Sequence, residues 1–223
     1  MWKIKSKQKV TSTCVGMRNP NDYLFPAASS EYVKFVKTLI EAAEGVTFTE
    51  EDFWTFVDVC RAKVDARERG PMWNPLWMAI LPEVEKLSNE QLFLVSEFYY
   101  SWLGRLHRRE IWSAVSVVVE GCSDDHFYEF CNGLITAGRV ACEQILREPD
   151  SPETIFKSDS AYHGVGIIFV ITDHFEDRTG FELPHDKIEL RLEGEWVDED
   201  SISERLPRCY KFKRDESTEL GDG

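Results

Sequence analysis

The sequence predicts an all-α protein: a single helical bundle with extended, irregular N- and C-terminal segments. Three observations predict it. Apolar residues recur at 3.6-residue spacing through most of the 223 residues, capping and helix-stopping residues punctuate those runs, and no glycine-rich turn separates a strand from a helix. The length suits one main domain, since compact domains commonly hold about 100–150 residues. Hydrophobic residues at 43% and aromatics at 13% supply its core and exclude a largely disordered chain.

Taken in order, the first helix is read from Tyr32, Phe35, Val36, Leu39, Ile40 and Ala43, one face of a helical period closed by Gly45. The second starts near Thr47 or Thr49, where Thr47 and Glu50 have capping-box spacing. It carries Phe53, Val57, Cys60 and Val64 and stops at Gly70-Pro71. A Trp- and Pro-rich link, Met72 to Trp77, leads into a short helix before Ser88, which with Gln91 forms another capping box. Leu92, Val95, Tyr99, Trp102 and Leu106 mark the next helix, and Trp112, Val115 and Val119 the one after it. Two apolar faces on so short a link are expected to pack antiparallel.

Cys122-Ser123-Asp124-Asp125-His126-Phe127 opens a helix facing inward with Phe127, Phe130, Leu134, Ala137, Ala141 and Ile145, and Gly138 either loosens or splits it. Pro149 ends it, and Ser151-Pro152 starts a short helix with proline at its first position. Residues 165–178 have strand composition but helical spacing at Val165, Ile168, Phe169, Thr172 and Phe175. Helix is favoured because Arg178-Thr179-Gly180 reads as a C-cap. The organisation expected is a basic arm over 1–29, an all-α domain over 30–212 with an acidic strap at 184–206, and a disordered tail over 213–223. The strap should end in a short helix near Asp198 to Leu206.

The formal charge is −14, with a pI near 4.8. Residues 1–21 carry +5 from Lys3, Lys5, Lys7, Lys9 and Arg18, so the remainder holds −19. That balance argues against general phosphate-backbone binding and favours a basic protein partner; nucleic acid would have to be met through Lys3, Lys5, Lys7 and Lys9. Six scattered cysteines (Cys14, Cys60, Cys122, Cys131, Cys142, Cys209) have no CxxC spacing and read as reduced, small hydrophobes. The N-terminus lacks the apolar run of a signal peptide, and the longest apolar stretches fall short of the ~20 residues a membrane helix needs. A soluble, cytoplasmic protein without a membrane partner is expected.

The stretch Glu120 to Phe130, followed by Gly133-Leu134-Ile135 and Gly138-Arg139, resembles the bacterial family catalogued as domain of unknown function 4240. Phe53-Trp54, Pro149-Asp150, Thr179-Gly180, Leu183-Pro184, Trp196 to Asp200 and Pro207 fit the same resemblance, which covers roughly residues 50 to 212. Where the family has Phe-Arg and Trp before Leu-Ile, this chain has Phe130-Cys131 and Gly133. The resemblance implies a fold and no activity, since none is assigned to the family. Some relatives join this domain to a WGR module found in nucleic-acid and damage-response contexts.

Ser123-Asp124-Asp125 is the sharpest local feature. Ser at an N-cap with two first-turn carboxylates is first a structural device; the functional alternative makes one aspartate a general base or a ligand for a cation or guanidinium, with His126 one turn from Cys122 and Arg139 counted in the same candidate motif. Arg105, His107, Arg108 and Arg109 form the one dense basic cluster. It is expected to pair with Glu110 and Glu120, and the alternative is that Arg105, Arg108 and Arg109 hold an anion. Cys122, His126 and Cys131 are too few for a structural metal site, and His163 and His174 are free-standing. GxSxG, HExxH, GxxxxGK[ST] and GxGxxG are missing. No metal or cofactor is expected. The leading expectation is a non-enzymatic interaction or regulatory module. The alternative is an enzyme on a small or phosphorylated substrate, with Asp124 or Asp125 as base and Arg105, Arg109 or Arg139 as anion holder.

Overall fold

The computed structural model describes residues 29–65, 77–162, 166–185 and 192–219. The arm with Lys3, Lys5, Lys7 and Lys9, the Trp73 link and His163 lie outside the described residues. The helices are α1 (Ser30–Glu44), α2 (Glu50–Asp65), α3 (Trp77–Val84), α4 (Asn89–Leu106), α5 (Arg109–Val118) and α6 (Asp124–Ala137). They continue with α7 (Arg139–Arg147), α8 (Pro152–Tyr162), α9 (Ile167–Thr179), α10 (Ile202–Arg205) and α11 (Pro207–Glu219). Among the described residues extended pairing is limited to one bridge, Arg108 with Glu193, so the all-α bundle is the architecture. None of the described helices is long and apolar enough to cross a membrane.

α4 is the centre. Every residue from Leu92 to Tyr99 is buried, and so are Trp102, Leu103 and Leu106. α1, α2, α6, α7 and α9 pack around it. Truncating a side chain in such a core to alanine costs about 2–5 kcal/mol, several times what a helix cap contributes, so packing outranks capping here. The Ser88 and Gln91 capping box opens α4 as the spacing predicts, with Gln91 N–H donating to Ser88 Oγ at 3.2 Å and Ser88 N–H to Gln91 Oε1 at 3.0 Å.

The α2 cap sits elsewhere than expected. Thr49 and Asp52, not Thr47 and Glu50, form it: the Thr49 N–H and hydroxyl both donate to Asp52 Oδ2, and Asp52 N–H donates back to Thr49 Oγ1 at 3.2 Å. Glu50 is needed by the core instead, where its Oε1 accepts the Trp102 indole N–H at 2.9 Å. α5 does not fold back along α4 but packs against α8 and α11. The two-residue link turns extended at Arg108 (φ −125°, ψ 141°), and the faces of α4 are already taken.

Gly138 (φ 105°) splits the long helix into α6 and α7. Within 165–178 the residues from Ile167 onward are helical, as favoured: α9 starts at Ile167 and is closed by Gly180 in the left-handed conformation (φ 73°). Arg178 ties that end to the α3–α4 link by donating to Leu87 O at 2.7 Å.

The strap is irregular over 192–198, with a bend at Gly194, and then coils into a 3₁₀ turn (Glu199–Ser201) and α10, in the region where a short helix is expected. α11 then runs to Glu219, so the segment expected to be disordered from 213 is helical at its start. Buried Cys209 and half-buried Phe212 hold one side of α11 against the bundle, and that contact supplies the order its polar composition does not signal.

Thr49→Ala should lower stability by about 1 kcal/mol in urea unfolding at pH 7. The Thr49 hydrogen bonds hold the Asp52 carboxyl below its ordinary value of 3.8. The stabilisation from the carboxylate is therefore present above that value and lost as pH falls through the folded pKa, so the gap between wild type and Thr49→Ala should narrow in acid.

Candidate functional site

The start of α6 is built by a strained turn. Glu120 sits at φ 62° and Gly121 at φ 107°, reversing the chain so that Ser123 (φ −69°, ψ 171°) can cap α6; its Oγ accepts the His126 N–H at 3.2 Å. The Trp112 indole N–H pins the turn by donating to Cys122 O at 2.8 Å. Asp124 and Asp125 follow in the first turn, exposed to solvent, where they complement the helix dipole. His126 turns inward, and its Nε2 meets Asp159 Oδ1 of α8 at 3.1 Å. The Cys122 thiol on the same face is pushed up to about 12, by burial first and by the Asp159 charge second. A thiol so disfavoured as thiolate is the opposite of an activated nucleophile.

The arginines diverge. Arg139 donates from Nε to Glu143 at 2.8 Å and from Nη1 to Glu51 at 3.1 Å, bracing α7 against the start of α2. Arg105 lies over the Trp102 ring, 3.6 Å from its centroid. Arg108 reaches Glu110 at 3.8 Å, as the sequence suggests, while Arg109 donates to Gly194 O of the strap at 2.8 Å. Glu120, the other expected partner, pairs with Lys213 of α11 instead. Arg105 is thus committed to a ring, while Arg108 and Arg109 are committed to a carboxylate and a carbonyl that meet at the strap turn around Gly194. His174 contacts Arg178, which lies one turn further along α9.

Two polar features escaped the sequence reading. Arg61 of α2 donates from Nη1 to Ala137 O at 2.6 Å, closing the end of α6, while Nη2 pairs with Asp58 at 2.8 Å. A Cβ on Gly138 would collide with that guanidinium, so Gly138 serves both its positive φ and the close approach of Arg61. The Gly-Arg spacing was legible, but Arg61 lies 76 residues earlier and carries no local signal. In the core, the Tyr99 hydroxyl donates to Asn132 Oδ1 at 2.8 Å, with both residues fully buried. Burial raises the Tyr99 and Tyr128 phenols above their usual range, and the nearby Asn132 partly offsets the rise at Tyr128.

Beside Gly138 a cavity of about 480 Å³ opens between α2, α7 and α8, lined by Arg61, Asp65, Val140, Gln144, Thr154 and Lys157 among others. That volume lies within the range of small-molecule pockets. Neither Asp124 nor Asp125 lines it, and neither do Arg105, Arg108, Arg109 or Arg139. Among the described residues no three of His, Cys, Asp and Glu gather as a metal site.

Fold and site together define a class: an all-helical domain whose local signature, Ser123 to Phe130 with Gly138-Arg139, is held by capping, ring and ion-pair contacts. The model of the family described as "protein of unknown function (DUF4240)" matches residues 48–171, more than half of the chain, and the protein belongs to that family. The match runs from just before α2 into α9, while the strap and α11 lie beyond it. No curated protein and no solved structure matches the chain.

Gly138→Ala should cost more than about 1 kcal/mol in chemical unfolding, because it combines a positive φ with the Arg61 collision, whereas Gly121→Ala meets open space and should cost less. Burial raises the thiols of Cys60, Cys122, Cys131, Cys142 and Cys209, those of Cys60 and Cys122 to about 12. All five should therefore be neutral and slow toward iodoacetamide at pH 8, and peptide mapping after denaturation should show them reacting like free cysteine.

Proposed function

We propose that the protein is a non-enzymatic interaction module of the reducing cytoplasm whose acidic surface meets a basic partner. The observation that carries this reading is an asymmetry of pairing. Arg61, Arg139, Arg178 and Arg208 are each spent on carboxylates or carbonyls of their own chain, whereas Asp124 and Asp125 project into solvent without an ion pair among the described residues. Exposed Lys34 and Lys37 have no such carboxylate among the described residues, but the balance of charge is negative, in keeping with a formal −14. Such a surface steers a cationic partner and repels nucleic acid. Free cysteines in the core suit a reducing compartment.

Tagged full-length protein should retain a basic protein from lysate at about 0.1 M salt and release it at about 1 M, where the screening length falls from about 10 to about 3 Å. Asp124→Asn with Asp125→Asn should reduce that retention several-fold. Recovery of no salt-sensitive partner would overturn the reading.

A further inference from the structure

α11 lies on acids. Its first amides, Arg208 N–H and Cys209 N–H, donate to the two oxygens of the Asp150 carboxylate at 2.9 and 2.7 Å, so a side chain from the α7–α8 connection caps this helix. The Arg208 guanidinium reaches Glu148 at 2.7 Å and Glu153 at 2.8 Å. One helical turn on, Phe212 packs against Phe156 of α8 with ring centroids 5.8 Å apart. The apolar hold, on α5 as well as α8, rests on few residues: Leu206 and Cys209 are buried and Phe212 half-buried, while Arg208, Tyr210, Lys211 and Arg214 are exposed. Phe156 itself remains 49% exposed. Both Arg208 ion pairs are solvent-accessible, with side-chain exposures of 44% for Arg208, 51% for Glu148 and 69% for Glu153. Ion pairs of this kind are weak and screened by salt.

We propose that the seat formed by Glu148, Asp150 and Glu153, with Phe156 at its apolar edge, is where a basic amphipathic helix of a partner protein docks. α11 is the chain's own occupant of that seat. The inference rests on the reading of an acidic surface with a basic partner, and it supplies the location and the ligand chemistry. The occupant seen defines that chemistry: a helix start with free backbone N–H groups for Asp150, an arginine in the first turn for Glu148 and Glu153, and an aromatic residue four positions later for Phe156. A partner helix competes with α11, so its apparent affinity for the intact chain is cut by the fraction of molecules in which the seat is open.

The test uses the full chain and a fluorescent peptide with the sequence of residues 206–219 under reducing conditions. Arg208→Glu turns the anchor of α11 against Glu148 and Glu153 while leaving the seat unchanged. The peptide should bind this variant about tenfold or more tighter than wild type. Binding should weaken about tenfold when Glu148→Gln and Glu153→Gln are added, and fall as salt rises. Equal binding to wild type and Arg208→Glu, or undiminished binding to the triple variant, overturns the proposal.

Should Arg208→Glu fail to fold by circular dichroism, hydrogen exchange on the wild-type chain decides. The α11 amides should exchange about tenfold faster or more at about 1 M than at about 0.1 M salt, with α4 unchanged; α11 amides indifferent to salt overturn it. A failed lysate pull-down with successful peptide exchange leaves the seat standing and removes the partner reading. The reverse result places the partner elsewhere on the acidic surface and overturns the seat.

Discussion

A helix segment buried all round, as α4 is from Leu92 to Tyr99, must satisfy its polar atoms without water, and that constraint shapes the whole molecule. Ser96 answers it locally, its hydroxyl donating to Phe93 O at 2.7 Å. Tyr99 and Trp102 answer it through other helices, the phenol reaching Asn132 of α6 and the indole reaching Glu50 of α2. Because Glu50 is drawn inward, the cap of α2 shifts to Thr49 and Asp52. Because Trp102 is fixed edge-on to Trp54, with ring centroids 4.9 Å apart, Arg105 has a flat face to lie on. The positions of α2 and α6, and with them Arg61, Gly138 and Arg139, follow from what the buried helix requires.

The helices were legible because their signals are local. The stripe from Leu92 to Leu106, the box at Ser88 and Gln91, and the serine before Asp124 each lie within one or two turns of the residues they order, and each appears where the pattern puts it. Gly138 was legible as a break, and its positive φ explains why the break is complete. The direction of α5 was not legible, since it depends on a single extended residue at Arg108 and on which faces of α4 are already occupied. The order of α11 was not legible either, because it comes from the packing of Cys209 and Phe212 on the bundle and from carboxylates at Glu148, Asp150 and Glu153 some 55 to 60 residues away. Of the candidate site, the cap at Ser123 was readable, but the roles of His126 and the arginines were set by partners on other helices.

The charged groups divide into two populations by environment. Inside or at the margins, Glu50, Asp159 and Asp150 have named partners and define where helices meet. Outside, Asp124 and Asp125 contribute little to the fold beyond the dipole of α6, and their charge is available to whatever approaches. The same separation explains why a Ser-Asp-Asp run that looks catalytic in one dimension is divided here between a cap and a solvated surface, with the histidine beside it turned to a different helix.

The strap adds a temporal asymmetry to this architecture. The first turn of α5 receives its finishing contacts from the strap: Arg109 N–H donates to Glu193 O, Arg109 Nη1 to Gly194 O, and Ser113 Oγ accepts the Val197 N–H. Gly194 suits the left-handed backbone there (φ 79°), and its lack of a side chain lets the Glu110 carboxylate lie against it. These partners lie 84 or 85 residues further along the chain. During synthesis α5 therefore emerges long before the strap that completes its first turn, and contacts so distant in sequence form late. The bundle can assemble around α4 before the strap is made, leaving one helix start open until the strap arrives.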